Sequence, residues 1–218
     1  MKYLLGIGYV NRPDLLYRAV QSIEPHWHNT IIIDNSEELE LRTHSFPTMI
    51  RVIEPPVPLS FSQTMNLMYQ KAITETYEVI LFMHNDAEID AIVSTTFLPY
   101  VQNLILTKQN WGAVLTSNAS PPFIAFNVEA MRLVGEWDIT FPRYFADQDY
   151  YWRLTLAGYP VMKTNHIVTH HNGGGTTFKS DPQLARLHNV TFPLYERYYV
   201  AKWGGKPHQE LYTKPFNR

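Results

Sequence analysis

Cysteine is absent from the sequence, which excludes disulfides and thiolate metal sites. Long apolar runs are missing as well, and none approaches the roughly 20 residues that cross a membrane. The opening stretch Met1 to Gly8 is too short for a signal peptide and soon meets Asn11, Arg12 and Asp14. Charge of one sign is not in excess: the formal net charge is −2. That removes the electrostatic case for bulk nucleic acid as a ligand. Glycine is sparse where a phosphate loop would need it. Gly6-Ile7-Gly8 has no third glycine at fingerprint spacing, and no Gly-Lys-Ser/Thr loop occurs. A Rossmann dinucleotide site and a P-loop are therefore not expected. These absences leave an expected cytoplasmic protein, at most peripheral to a membrane.

What is present points to one α/β domain over residues 1–218. Hydrophobic residues make up 45% of the chain, enough for a full core at this length. Tyr3 to Val10 reads as a strand, Leu15, Leu16, Ala19, Val20 and Ile23 follow helical spacing, and Thr30 to Ile33 is a second buried strand. Strand, helix, strand in this order predicts a right-handed parallel unit. Ile50 to Ile53 reads as a short strand and Ser62 to Ala72 as a helix. After residue 89 the pattern loosens: helix from Phe97 to Leu106, strands at Trp111–Leu115 and Phe123–Phe126, a short helix at Val128–Leu133. A helix from Asp149 to Ala157, strands at Val161–Lys163 and His166–His170, a Gly-rich loop over 171–177, and a helix from Gln183 to Tyr199 complete the reading.

Val79-Ile80-Leu81-Phe82-Met83 runs directly into His84-Asn85-Asp86-Ala87-Glu88. A continuous apolar run of this length reads as a strand buried on both faces. Ligands of open α/β sheets sit beyond the carboxyl ends of such strands. Asp86 and Glu88 share a side in extended chain, so both offer oxygen to a divalent cation. An isolated Asp-x-Glu is more often a solvated acidic turn, and other stretches must decide. Asp34 ends the second strand, where a carboxylate can accept from a nucleotide, or simply form a turn with Asn35-Ser36. Asp147 and Asp149 fall at a helix start, where carboxylates also serve as caps. Arg153, four residues beyond Asp149, can pair with it and leave Asp147 as the freer base. His170 and His171 precede Gly173-Gly174-Gly175 and face opposite ways on a strand, so one of them is expected to ligate. Imidazole with carboxylates suits Mn²⁺, and Mg²⁺ less. Lys202 and Lys206 flank Trp203-Gly204-Gly205, positioned either to neutralise a diphosphate or to pack a tail.

Seven motifs in this order resemble the GT-A fold glycosyltransferases, in particular the inverting family 2, over about Tyr3 to Thr177. They are Asn11-Arg12-Pro13-Asp14-Leu15-Leu16, Ile33-Asp34-Asn35-Ser36, a helix bearing Asn66, and Asp86-Ala87-Glu88. Gly135-Glu136-Trp137-Asp138, Asp147-Gln148-Asp149 with Arg153, and His170-His171 before the glycines follow. The resemblance implies a mostly parallel GT-A sheet flanked by helices. Residues 1–89 would bind the nucleotide sugar, 90–180 the acceptor, and 181–218 would form a C-terminal helix and tail. It implies a UDP-sugar donor, a glycan or other hydroxyl acceptor, and a Mn²⁺ or Mg²⁺ cofactor. Asp147 is the implied base and Asp34 the contact to the pyrimidine. Asn11, Arg12, Asn66, Asp86 and Lys202 are expected on the nucleotide sugar. Asp86, Glu88 and one of His170 and His171 are expected on the metal, with Asp149, Arg153 and Trp137 as acceptor-side support. Glu88 stands where a second Asp is usual, and Ala146 where an acidic residue often precedes the base. A sugar-phosphate nucleotidyltransferase and a non-catalytic carbohydrate-binding module are the competing expectations.

Overall fold

The computed structural model describes residues 1–173 and 175–218. Its first half alternates strand and helix: β1 (Tyr3–Tyr9), α1 (Pro13–Ser22), β2 (Thr30–Asp34), β3 (Arg51–Ile53), α2 (Phe61–Thr74) and β4 (Val79–His84). β5 (Ala87–Glu88), α3 (Ala91–Leu106), β6 (Ala113–Leu115), β7 (Phe123–Asn127) and α4 (Val128–Val134) follow. The chain continues with α5 (Ala146–Leu156), β8 (Val161–Lys163), β9 (Thr169–His170), α6 (Thr176–Lys179) and α7 (Pro182–Trp203).

Seven strands form one sheet in the order β3-β2-β1-β4-β7-β6-β8, and β5 pairs with β9 in a second, two-stranded sheet. β1 to β4 are parallel, and β7 runs antiparallel to both β4 and β6. The mostly parallel sheet expected from the sequence is present. β4 lies at its centre, and Val79 to Met83 are all buried. Removing such side chains from water contributes roughly 1.5–3 kcal/mol each. Helices cover both faces, so the hydrophobic core forms two layers on either side of the sheet.

Gly6 and Gly8 lie inside β1 rather than in a phosphate turn. A Cβ on Gly6 would meet Met68 Cε at 2.2 Å, so this glycine lets α2 close onto the sheet. α2 starts with a capping box between Ser60 and Gln63. Three helices start or end three or more residues away from the sequence pattern. α3 starts at Ala91, capped by Asp90, whose side chain accepts from Val93 N. α5 starts at Ala146, which puts Asp147 in its first turn. α7 runs to Trp203, so Lys202 belongs to a helix and not to a loose tail.

Candidate active site

The carboxyl ends of β1, β2 and β4 open onto one edge of the sheet. β4 delivers His84 there, and the turn after it delivers Asp86. The short ladder of β5 with β9 pairs Ala87 with His170, bringing a residue from 83 positions away in the chain. The His171 amide donates to Asp86 O at 2.9 Å and extends this ladder. Ligand atoms of His84, Asp86 and His170 thereby lie within 4.8 Å of one another. His170 Nε2 is 3.3 Å from Asp86 Oδ1, with both side chains buried. The alignment is not that of a hydrogen bond, and His170 Nε2 is buried without a partner among the described residues. His84 is held edge-on between Phe82 and His170, at centroid distances of 5.2 and 5.0 Å.

Burial, then the neighbouring His170, push the His84 imidazole down to about 4 against the pull of Asp86. His84 is therefore neutral at pH 7 and keeps a lone pair. Burial opposes ionisation of Asp86, but contacts with His170 and Thr176 outweigh it and hold the carboxyl below its ordinary value. An orphaned imidazole nitrogen, a neutral imidazole and an ionised carboxylate fit a divalent cation. Two nitrogen donors suit Mn²⁺ better than Mg²⁺.

Glu88 and His171 meet elsewhere. Glu88 Oε1 accepts from His171 Nε2 at 2.5 Å and forms an ion pair with Arg18, on α1, whose Nε lies 2.6 Å away. The expected metal residues thus separate into a converging set, Asp86 with His170, and a paired set, Glu88 with His171.

Asp34 is 1% exposed at the end of β2. Its Oδ1 accepts from the amide and hydroxyl of Ser36, and its Oδ2 from Leu41 N, at 2.6 to 3.0 Å. A carboxylate has about four acceptor sites, and these bonds use three of them. Asn11 sits beside the Asp86 turn: Asn85 Nδ2 donates to Asn11 O at 2.9 Å, while Asn11 Oδ1 is buried without a partner among the described residues. Arg12 pairs with Asp14 and adopts a left-handed conformation, φ 67°, at the α1 start. Asn66 makes a two-way bond with the Trp137 backbone, at 3.1 and 2.7 Å. Trp137 is buried and stacks on Tyr150 at 4.2 Å.

Phe61 N donates to Pro142 O at 2.8 Å, which ties the loop before α5 to the start of α2 at this same sheet edge. Asp147 follows that loop. The residue as a whole is partly buried, and the atoms packed around its carboxyl raise its pKa by desolvation, which the Gln148 amide offsets only in part. Asp149 points inward and is fully buried. It accepts from Arg153 Nε at 3.0 Å and Trp203 Nε1 at 2.8 Å, and Lys202 Nζ lies 2.6 Å away as an ion pair. Lys202 also holds Asp138 at 2.8 Å, so its ammonium is committed to two carboxylates.

Local sequence pattern does not single out His84, Arg18 or Thr176. A signal for His84 existed, since it precedes Asp86 by two and shares its face in extended chain.

No known family model and no curated protein matches the sequence. Solved structures do. A mannosyltransferase from Pyrobaculum calidifontis, in complex with GDP-Man and Mn²⁺, matches with a TM-score of 0.56 at 14% identity over 75% of this chain and 54% of its own. GalNAc-T7 with UDP, GalNAc and Mn²⁺ matches with a TM-score of 0.60 at 12% identity over 92% of this chain and 50% of its own. The fold is GT-A. Glucosyl-3-phosphoglycerate synthase from Mycobacterium tuberculosis, with Mn²⁺, UDP-glucose and phosphoglyceric acid, matches with a TM-score of 0.52 at 14% identity over 78% of this chain and 72% of its own. The chain spans about half the length of the first two. Identities this low carry the GT-A fold and leave the chemistry to the residues.

Proposed function

We propose that the chain is a metal-dependent, inverting glycosyltransferase that moves a sugar from a UDP-sugar to an acceptor hydroxyl, such as that of a glycan. The observation that carries this reading is the meeting of His84, Asp86 and His170 beyond the central strand of a GT-A sheet. The three solved structures described above hold Mn²⁺ with a nucleotide or nucleotide sugar. In this reading His84, Asp86 and His170 hold the cation, and Glu88 is not a ligand. The fourth acceptor site of Asp34, on Oδ2, takes the ring N–H of the pyrimidine, and Asn11 lies along the nucleoside.

The reaction is a displacement at the anomeric carbon. The acceptor oxygen bonds to that carbon, and the bond from the carbon to the diphosphate oxygen breaks. Asp147 takes the acceptor hydroxyl proton, and a raised pKa brings it nearer the working pH. A bound divalent cation offsets the charge collecting on the departing diphosphate.

Thermal melting with UDP or GDP, each with and without Mn²⁺, tests the donor side. At 100 times its Kd a ligand stabilises by about 2.7 kcal/mol, or roughly 5–10 °C for a domain of this size. The expected outcome is a shift with UDP and Mn²⁺ together and little with either alone. An equal shift with GDP would remove the UDP assignment, and no shift with either nucleotide and Mn²⁺ would remove the transferase reading.

A further inference from the structure

Glu88, Arg18 and His171 form a cluster that the reaction does not use. It joins three segments: α1, the β5 strand that follows Asp86, and the end of β9 that carries His170. A single oxygen, Glu88 Oε1, lies 2.6 Å from Arg18 Nε in an ion pair and accepts from His171 Nε2 at 2.5 Å. Because His171 Nε2 donates to Glu88, it carries a hydrogen and has no lone pair for a metal.

The ladder between β5 and β9 has two residues a side. Pairings this short are marginal alone. Yet this ladder sets how closely Asp86 and His170 approach, since Ala87 faces His170 and the His171 amide bonds Asp86 O. Buried Ala87, Ile89 and Val168 anchor it on the core side. On the outer side, Glu88 ties it to the first helix and to the opposite strand.

We propose that Arg18, Glu88 and His171 form a positioning clamp that fixes the distance between Asp86 and His170, and so sets metal affinity without touching the metal. The inference rests on the metal site proposed above. Groups that orient ligands from outside typically change metal affinity by about 10–100-fold when removed. The ion pair itself is partly exposed, with Arg18 55% and Glu88 26% accessible, and such pairs add little to folding.

The test uses the full chain and Mn²⁺ alone, with free Mn²⁺ read by electron paramagnetic resonance. Metal-free melting is recorded for every variant. Arg18→Met and Glu88→Gln should each weaken Mn²⁺ binding about tenfold or more, and the double variant should be no weaker than either alone. Metal-free melting temperatures should stay close to wild type. Asp86→Asn should abolish binding. Loss in Glu88→Gln with unchanged or tighter binding in Arg18→Met would overturn the clamp and make Glu88 a ligand. Wild-type affinity in Arg18→Met and Glu88→Gln, with loss in Asp86→Asn, would overturn the clamp alone. Binding that survives Asp86→Asn would overturn the metal site and the clamp together.

Discussion

Replacing Lys202 by Met removes one cation from a buried group of two carboxylates and two cations. Lys202 Nζ lies 2.6 Å from Asp149 and 2.8 Å from Asp138, with the Lys202 side chain 7% and that of Asp149 1% accessible. Deleting one partner of a buried pair typically costs about 3–5 kcal/mol, because the other charge stays behind. Asp149 keeps Arg153 and Trp203, so the lower end applies, about 3 kcal/mol. Urea unfolding followed by circular dichroism at pH 7 measures this directly. The cost also has a pH signature. Burial raises the pKa of Asp138, but Lys202 and the Thr140 contacts outweigh it and hold the carboxyl below its ordinary 3.8. A carboxyl depressed in the folded state adds stability that is complete above its unfolded value. That stability is lost as pH falls through the lower folded value. The gap between wild type and Lys202→Met should therefore narrow below pH 3.8. A loss under about 1 kcal/mol at pH 7, the range of an exposed pair, would refute the reasoning, as would a gap that does not change in acid.

Asp147→Asn keeps shape and hydrogen bonding but cannot take a proton. It should retain UDP and Mn²⁺ binding in calorimetry and lose transfer by roughly 10²–10⁴-fold, and proton NMR of the wild-type product should show inversion at the anomeric carbon. Asp34→Ala should weaken UDP binding by about 1.5–3 kcal/mol, the range for a charge-assisted bond. The same change also strands the amides of Ser36 and Leu41, so a drop in melting temperature should accompany it. His84 is protonated near 6.5 when unfolded but only near 4 when folded. Wild-type stability should thus be full above pH 6.5 and fall by about 2–3 kcal/mol on the way to pH 4, and urea titrations of His84→Gln across that range should show a flatter decline.

The parts of this molecule legible in the sequence are those whose cause is local. The apolar run from Val79 to Met83 identifies the central strand because burial on both faces leaves no room for polar residues. The pairing of Asp149 with Arg153 follows from helical spacing alone. His170 and His171 do go to different carboxylates, although only His170 lies on β9 and His171 begins the 3-10 turn after it. What local pattern misses is set by tertiary contact. Glu88 and Asp86 share a side in extended chain, yet a turn and the ladder with β9 send them to different partners. Lys202 reads as a free cation because its partners, Asp138 and Asp149, lie more than 50 residues earlier. His84 reads as the strand's last residue, and only the arrival of His170 gives its ring a role.

The distance along the chain between β5 and β9 also fixes when the site can exist. β1 to β4 pair with one another within the first 84 residues, and β7 closes the other edge of β4 from residues 123–127. His170 cannot meet Asp86 until the chain has closed a loop of more than 80 residues. Loop closure costs entropy that only later contacts return. The sheet should therefore form first, and the cluster of His84, Asp86 and His170 should be among the last parts to assemble. In the native state the order reverses: the two-residue ladder should open before the sheet does. The His171 amide, which closes that ladder on Asp86 O, should then exchange with solvent deuterium well ahead of the amides of β4.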